Sequence, residues 1–253
     1  MRQAVAGLLA LTAALVAAGP AAADCPPLAP SANWMERFET AFTGRAFSPE
    51  DAREFQRREN VPALIVLPTT GPAPLEVGIT WLSLPVETAV RMEISPDGTG
   101  AQPWPPPWTA EQGGRRKFTY DRPGRYDLTV WLHEPNGRVT PYPTAITVST
   151  PADFDAELVG RWETLKARLA AADLAGALEC MHTDARKKYE PTFKALFVDR
   201  RTRVDDALTS IRLVEMRGTG AEYEMRRTGP RGTLSYYVRF LVDVDGVWRI
   251  QSF

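Results

Sequence analysis

The chain has 253 residues, 44% of them hydrophobic, which is enough material for two modest hydrophobic cores. Its 30 Lys and Arg residues nearly balance 31 Asp and Glu residues. The two signs are mixed along the chain, so the sequence argues against a nucleic-acid partner or an anionic membrane surface.

The first 23 residues have the pattern of a secretory signal. Met1-Arg2 is followed by an apolar block from Ala4 to Ala18 and then by Ala21-Ala22-Ala23. A membrane anchor is the alternative, but spanning a bilayer takes about 20 apolar residues. The pattern therefore predicts cleavage before Asp24, an exported product that is periplasmic or secreted, and no transmembrane segment after signal removal.

Export leaves the two cysteines with two readings. Cys25 and Cys180 can form a disulfide in an oxidising compartment, which would tie the N-terminus to the last domain. Two free thiols, with Cys180 as a small buried hydrophobe, are as plausible on general usage. Lipidation of Cys25 is disfavoured by Asp24, which precedes it. Residues 24–60 are expected to form a helical strap, since Trp34, Phe38 and Phe42 recur at helical spacing.

Short apolar runs with Pro and Gly between them predict a β-sandwich over residues 61–150. The predicted strands are 64–67, 75–81, 89–94, 117–120, 126–132 and 145–148. The stretches from Gly71 to Val77 and from Phe118 to Val130 resemble the "GxAPLxV" and "hxYxxPGxYxLTV" segments of PKD-type immunoglobulin-like domains. The resemblance implies a sandwich that acts as a spacer or adhesive surface. The family's central "WDFGDG" segment is replaced by residues 92–98, so the resemblance carries the fold alone.

The proline-rich run from Pro103 to Trp108 is expected to be an extended polyproline segment. Trp104 and Trp108 on such a rod are candidates for a recognition loop that stacks on a sugar or a partner. The alternative is that the two rings cover an open sheet edge, and we favour it because loop aromatics usually pack.

Beyond Ser149-Thr150-Pro151, which reads as a linker, the pattern becomes helical and predicts an α+β domain over residues 151–253. A helix starting at Asp153 carries an apolar stripe, Asp173 caps a second helix, and a third begins at Thr183 or Asp184, with Pro191 expected to kink or split it. Strands 210–217 and 221–228 and a final hairpin turning at Asp245-Gly246 complete a four-stranded meander. The apolar stripe of the first helix is Phe154, Leu158, Trp162, Leu165 and Leu169.

This order of elements, with Trp162, Ala221-Glu222-Tyr223 and the closing "DGVWRI" of residues 245–250, resembles the NTF2-like (cystatin-like) superfamily. The resemblance implies a cone of helices against a curved sheet. The family includes ketosteroid isomerases and many non-catalytic binding or assembly modules, so the fold does not choose a function.

No catalytic, nucleotide or metal signature is present in the sequence, so no cofactor and no metal site is predicted. Glu215, Glu222, Glu224 and Asp243 are expected to face solvent. The aromatic side chains that are candidates to line a ligand pocket in the cone, or simply to fill it, are Trp162, Tyr189, Tyr223, Tyr236 and Trp248.

We therefore predict a non-enzymatic binding or assembly module of the bacterial cell envelope. Its partner would be an envelope protein or a saccharide, with a possible homodimer through the sheet of the second domain. The alternative is a small-molecule carrier or isomerase-like enzyme that uses the cone. In it, His182 or Asp184 would be the general base and Tyr189 or Tyr236 the hydrogen-bond donor.

Overall fold

The computed structural model describes residues 24–27, 64–81, 89–108, 115–198, 203–230 and 232–253. The predicted signal segment, residues 1–23, lies outside the described residues, and so do residues 28–60 of the predicted strap. Among the described residues no helix is both long and apolar enough to cross a membrane.

The first half of the described chain is a β-sandwich. A three-stranded sheet with the order β1-β3-β6 faces a five-stranded sheet with the order β2-β8-β7-β4-β5. Every pairing is antiparallel except that of β2 with β8. The strands are β1 (Leu64–Leu67), β2 (Thr70–Pro72), β3 (Leu75–Trp81), β4 (Arg91–Ser95), β5 (Gln102–Pro103), β6 (Arg116–Tyr120), β7 (Gly124–His133) and β8 (Val139–Ser149).

Alternation along the strands builds the core of the sandwich. Val77 and Ile79 of one sheet and Leu128 and Val130 of the other have no exposed surface and belong to one cluster. Burying each such side chain contributes about 1.5–3 kcal/mol. The predicted β-sandwich is confirmed by these two packed sheets, whereas the short strands β2 and β5 were not predicted.

The second half packs helices against a four-stranded antiparallel sheet with the order β12-β11-β10-β9. Its strands are β9 (Ile211–Arg217), β10 (Gly220–Gly229), β11 (Gly232–Val242) and β12 (Trp248–Ser252). Its helices are α1 (Pro151–Ala170), α2 (Leu174–Glu179), α3 (Thr183–Val198) and α4 (Val204–Ala207). All five residues of the predicted stripe on α1 are buried and join the core that this sheet forms.

The start of one predicted helix needs correction. Helix α1 begins at Pro151, because Thr150 caps it by accepting a hydrogen bond from the Asp153 backbone N–H at 3.1 Å. Helix α3 runs through Pro191 without being split in two. Strand β8 ends at Ser149, so the predicted linker consists of a strand end and a helix cap.

The two halves also touch through their loops. The Trp248 indole N–H donates to the Thr70 carbonyl of β2 at 2.8 Å, and the Thr69 hydroxyl donates to the Gly246 carbonyl at 3.4 Å. A Cβ added at Gly246 would lie 2.5 Å from the Thr69 Oγ1 atom. The turn between β11 and β12 therefore fits directly against the sandwich.

Candidate functional site

Three of the five aromatic side chains suggested as a pocket lining are fully buried in the second half. Trp162, Tyr223 and Trp248 have no exposed surface, so they border neither solvent nor a water-sized cavity. The Trp162 indole donates to the Thr209 carbonyl at 2.8 Å, and the Tyr223 hydroxyl donates to Asp155 Oδ1 at 2.8 Å. Burial and this bond to Asp155 raise the pKa of Tyr223. These three rings therefore pack in the core of the second half.

The other two rings of that set lie in different places. Tyr189 is 6% exposed and stacks on Phe253 with ring centroids 4.9 Å apart. Its hydroxyl donates to the Phe253 carbonyl and accepts from the Phe253 N–H, both at 3.0 Å. Tyr236 is 38% exposed and pairs with Met225 across the β10–β11 hairpin. The hydroxyl of Tyr189 is therefore already occupied by the chain itself.

One of the residues suggested as general bases lies beside carboxylates. His182 lies at the α2–α3 junction, with its Nε2 atom 3.7 Å from Asp243 Oδ1 and its Nδ1 atom 3.8 Å from Asp184 Oδ2. The side chain of Asp184 is 84% exposed. Among the described residues, the Tyr189 hydroxyl bonds to the Phe253 backbone and not to His182 or Asp184.

The proline-rich segment packs rather than projects. Trp104 is 1% exposed in the core of the sandwich, and its backbone N–H donates to the Met92 carbonyl at 2.9 Å. The Trp108 indole donates to the Trp104 carbonyl at 2.7 Å, and its ring packs against the same core. Trp104 is therefore a core residue of the sandwich.

A disulfide joins Cys25 to Cys180, and both residues are buried. It holds the segment from Asp24 to Pro27 against the end of α2. The Pro26 carbonyl then accepts a hydrogen bond from Arg249 at 3.2 Å. The covalent link thus places an acceptor for a charge that lies in the interior of the second half.

Removing this link is expected to destabilise the fold. The two cysteines are 155 positions apart, and cross-linking so long a loop restricts the unfolded chain. The double variant Cys25→Ser, Cys180→Ser is expected to lose about 2–4 kcal/mol of unfolding free energy in urea titrations. The oxidised wild type should lose a similar amount on reduction and the double variant none. An equal response of both proteins to the reductant would contradict the expectation.

Arg249 is the centre of a buried ionic cluster. It is 2% exposed and donates to Asp243, Asp245 and the carbonyls of Glu179 and Pro26. Asp243 is 1% exposed, which corrects the expectation that it faces solvent. Its Oδ2 atom also accepts from the Thr183 N–H and hydroxyl. The cluster thus ties the turn between β11 and β12 to the end of α2 and to the N-terminal segment.

The cluster makes stability depend on acid pH. Burial by itself would raise the pKa of Asp245, but hydrogen bonds and charge from Arg249 outweigh it and hold the pKa below its ordinary value of 3.8. A group whose pKa is lowered by folding stabilises the protein above its unfolded pKa and loses that contribution as pH falls. Urea unfolding between about pH 5 and pH 2 should show this loss, with a smaller slope in Asp245→Asn. An unchanged slope would contradict it.

One strand of the sandwich carries a tryptophan that points away from the core. Leu128, Val130 and Leu132 of β7 are buried, so the alternating residue Trp131 lies on the outer face of the five-stranded sheet, where it is partly exposed. In register, Trp131 lies between Glu93 of β4 and Pro141 of β8. We call this surface the Trp131 face; its residues are Arg91, Glu93, Thr129, Trp131, His133, Pro141 and Pro143.

Polar groups flank this indole in a fixed arrangement. His133 Nε2 lies 2.8 Å from Glu93 Oε2, and Arg91 lies 3.3 Å from Glu93 Oε1. The side chains of Glu93 and His133 are 26% and 19% exposed, so they are held but still reachable from solvent. An aromatic plane beside a prearranged carboxylate and imidazole can stack on a ligand and accept or donate hydrogen bonds.

Trp131 is absent from the residues predicted to bind, although a signal for it exists. The alternation that places Leu128 and Val130 inside the sandwich also places Trp131 outside. A large aromatic at an outward strand position is informative because exposed Trp is uncommon.

The outer face of the second sheet offers a shallow concavity of about 280 Å³. Charged residues dominate its rim and pair with each other, as Arg239 does with Glu222 at 3.2 Å and Arg217 with Glu215. Ala221, Phe240 and Leu241 supply the apolar part of its lining. No three His, Cys, Asp or Glu residues of the described chain are grouped so as to hold a metal ion.

No protein-family model matches the sequence, and no curated protein matches it. Solved structures give partial likenesses. Over 34% of its length the chain is similar to a fibronectin(III)-like module of Clostridium thermocellum CbhA, with 15% identity, 93% of that chain covered and a TM-score of 0.25. Over 34% it is similar to the PKD domain of an M14-like peptidase from a Thermoplasmatales archaeon, with 14% identity, 91% of that chain covered and a TM-score of 0.26.

A third likeness is to a structure described as carbohydrate-binding modules of the β-sandwich superfamily. It covers 71% of this chain and 55% of that chain, with 9% identity and a TM-score of 0.27. At such TM-scores the likenesses do not choose a function for this chain.

Proposed function

We propose that the protein is an exported, non-enzymatic binding module of the cell envelope. In this proposal the β-sandwich presents the Trp131 face to a ligand, and the α+β half is an NTF2-like cone that supports it. The observation that carries the proposal is the outward indole of Trp131 beside the Glu93–His133 pair. Buried Trp side chains need no ligand, whereas an outward Trp beside organised polar groups is typical of a binding hot spot.

The rigidity of the face supports binding. Trp131 is held on strand β7, which pairs over its length with β8 on one side and over residues 129–133 with β4 on the other. A site built on sheet strands keeps its geometry better than one on loops, so less conformational entropy is lost when a ligand binds.

Two features support export. The signal pattern of residues 1–23 predicts processing after Ala23, which would make Cys25 the second residue of the mature chain. Its disulfide with Cys180 is of a kind that persists in oxidising compartments and is rare in the cytosol.

An enzyme or carrier using the cone is the weaker candidate. Trp162, Tyr223 and Trp248 have no exposed surface, and Tyr189 bonds to the Phe253 backbone. A substrate would have to displace these contacts before it reached a general base.

Co-sedimentation of residues 24–253 with purified bacterial envelope fragments tests the proposal. The wild type is expected to sediment with the fragments and Trp131→Ala to remain in the supernatant. Tyr237→Ala is the matched control, because Tyr237 is 56% exposed on the second sheet and lies opposite Glu224, which pairs with Arg212. Equal sedimentation of wild type and Trp131→Ala would refute a role for this face, and a wild type that stays in the supernatant would refute envelope binding.

A further inference from the structure

We infer that the Trp131 face binds a neutral, extended polysaccharide chain that lies across the strands. The inference rests on the proposed binding function and names the ligand class of the same surface. It follows from the shape of the face, the ring at its centre, the hydrogen-bonding groups beside the ring and the balance of charge.

The shape of the face suits a flat, extended ligand. Pro103, Glu93, Trp131 and Pro141 are register partners on the adjacent strands β5, β4, β7 and β8. Strands lie about 4.8 Å apart, so this row is about 14 Å long. The row is long enough for a few sugar units of a chain whose linkages are equatorial and whose rings lie in one plane.

The ring at the centre of the row suits a sugar. The face of an indole is electron-rich, and the C–H groups on one side of a pyranose ring carry partial positive charge. Stacking of the two buries apolar surface on both sides while the sugar hydroxyls stay at the periphery. Trp131 therefore supplies the apolar half of the contact, and the prolines at Pro141 and Pro143, both exposed, extend it.

The groups beside the ring suit the hydroxyls. A carboxylate has about four lone-pair positions, and those of Glu93 are used by only two neighbours that the structure shows, Arg91 and His133. The remaining positions can accept from sugar hydroxyls. Because Arg91 and His133 already orient the carboxylate, it needs little rearrangement to do so.

The balance of charge selects a neutral chain. Arg91 lies 3.3 Å from Glu93, and lower on the same face Arg125 lies 3.8 Å from Asp127. Each cation is matched by an anion, so the face has no net field to attract a polyanion or an acidic peptide. A polymer without charge avoids the cost of leaving one of these groups opposite a like charge.

Affinity electrophoresis of residues 24–253 in native gels tests this class of ligand. Hydroxyethyl cellulose is the neutral, equatorially linked probe; soluble starch has the same sugar in a coiled chain; carboxymethyl cellulose has the same backbone with negative charge. The wild type is expected to be retarded most by hydroxyethyl cellulose. Trp131→Ala is expected to raise the dissociation constant roughly 30-fold. Trp131→Phe is expected to raise it less, because the phenyl ring still stacks.

Two further variants separate binding from folding. Glu93→Gln keeps the shape of the side chain and removes its charge, and it is expected to weaken binding roughly tenfold while the melting temperature stays close to that of the wild type. Tyr237→Ala is expected to leave retardation unchanged. Loss of retardation in Trp131→Ala counts for the inference only if circular dichroism shows an intact fold; Trp131→Phe, which keeps a ring, provides the measurement if the alanine variant unfolds.

The outcomes distinguish the inference from the proposed function. Absence of retardation by hydroxyethyl cellulose, while co-sedimentation with envelope fragments still depends on Trp131, overturns the saccharide inference and leaves the binding function in place. Stronger retardation by carboxymethyl cellulose, removed by salt, overturns the neutral class. Retardation that survives both Trp131→Ala and Trp131→Phe overturns the site.

Discussion

Replacing Arg249 by methionine is expected to lower the unfolding free energy by about 3–5 kcal/mol. Arg249 is 2% exposed, and its guanidinium donates to Asp243, Asp245 and the Glu179 and Pro26 carbonyls. Methionine fills much of the same volume but donates no hydrogen bonds. Asp243, 1% exposed, would then be a buried carboxylate without its cation. Urea unfolding followed by circular dichroism measures the loss.

The control is Arg239→Met, the same change on the neighbouring strand β11. Arg239 also pairs with a carboxylate, Glu222 at 3.2 Å, but its side chain is 60% exposed. An exposed pair is worth about 0–1 kcal/mol because water solvates both partners when they separate. If the two variants lost equal amounts, burial would not be what makes the Arg249 cluster important.

Most helices and strands of this fold could be predicted from local sequence patterns. The stripe of apolar residues on α1 and the runs that became β1 and β3 have the expected periods, and the structure places them at those positions. The pairing of a short strand with a partner far away in the sequence could not be predicted from local patterns. Strand β2 has three residues, and it exists because Thr70 and its neighbours pair with β8, which lies about 75 positions away in register.

The roles of single polar residues depended on partners far away in sequence. The "DGVWRI" motif indicated a turn and a core Trp, but it did not show that Arg249 lies in the interior. A buried guanidinium needs hydrogen-bond acceptors, and those of Arg249 come from three parts of the chain. They are Glu179 at the end of α2, 70 positions away, Asp245 in the turn between β11 and β12, 4 positions away, and Pro26, 223 positions away. Alternation alone placed Asp243 in solvent because the pattern contains no information on what covers the sheet edge.

For the candidate site, local alternation along a strand is more informative than the proline-rich run. The alternation of β7 indicates the outward position of Trp131, whereas the extended proline-rich run left two alternatives for Trp104, a recognition loop or packing over a sheet edge. The structure puts Trp104 in the core, since its backbone pairs with Met92 and its ring enters the gap beside β4. A predicted extended segment thus gives the path of the backbone but not the direction of its aromatic side chains.

Trp248 joins the two halves, and its replacement by alanine is expected to cost about 3–5 kcal/mol. The ring has no exposed surface, contacts Phe154 edge to face at 5.2 Å, and donates from its indole N–H to Thr70 of the sandwich at 2.8 Å. Alanine would leave a cavity in the second core and an unpaired carbonyl on β2. Urea unfolding at constant pH measures the loss.

Trp248→Phe divides the effect into its parts. Phenylalanine keeps an aromatic ring against Phe154 but has no N–H for the Thr70 carbonyl, so we expect about 1–2 kcal/mol from that bond and a further part from the smaller ring. Because the bond is made to the sandwich, its loss should also make the unfolding of the two halves less cooperative, visible as a broader transition. A loss below 1 kcal/mol in Trp248→Ala would show that this ring is not a core residue, and a sharp transition in Trp248→Phe would show that the two halves are coupled by other contacts.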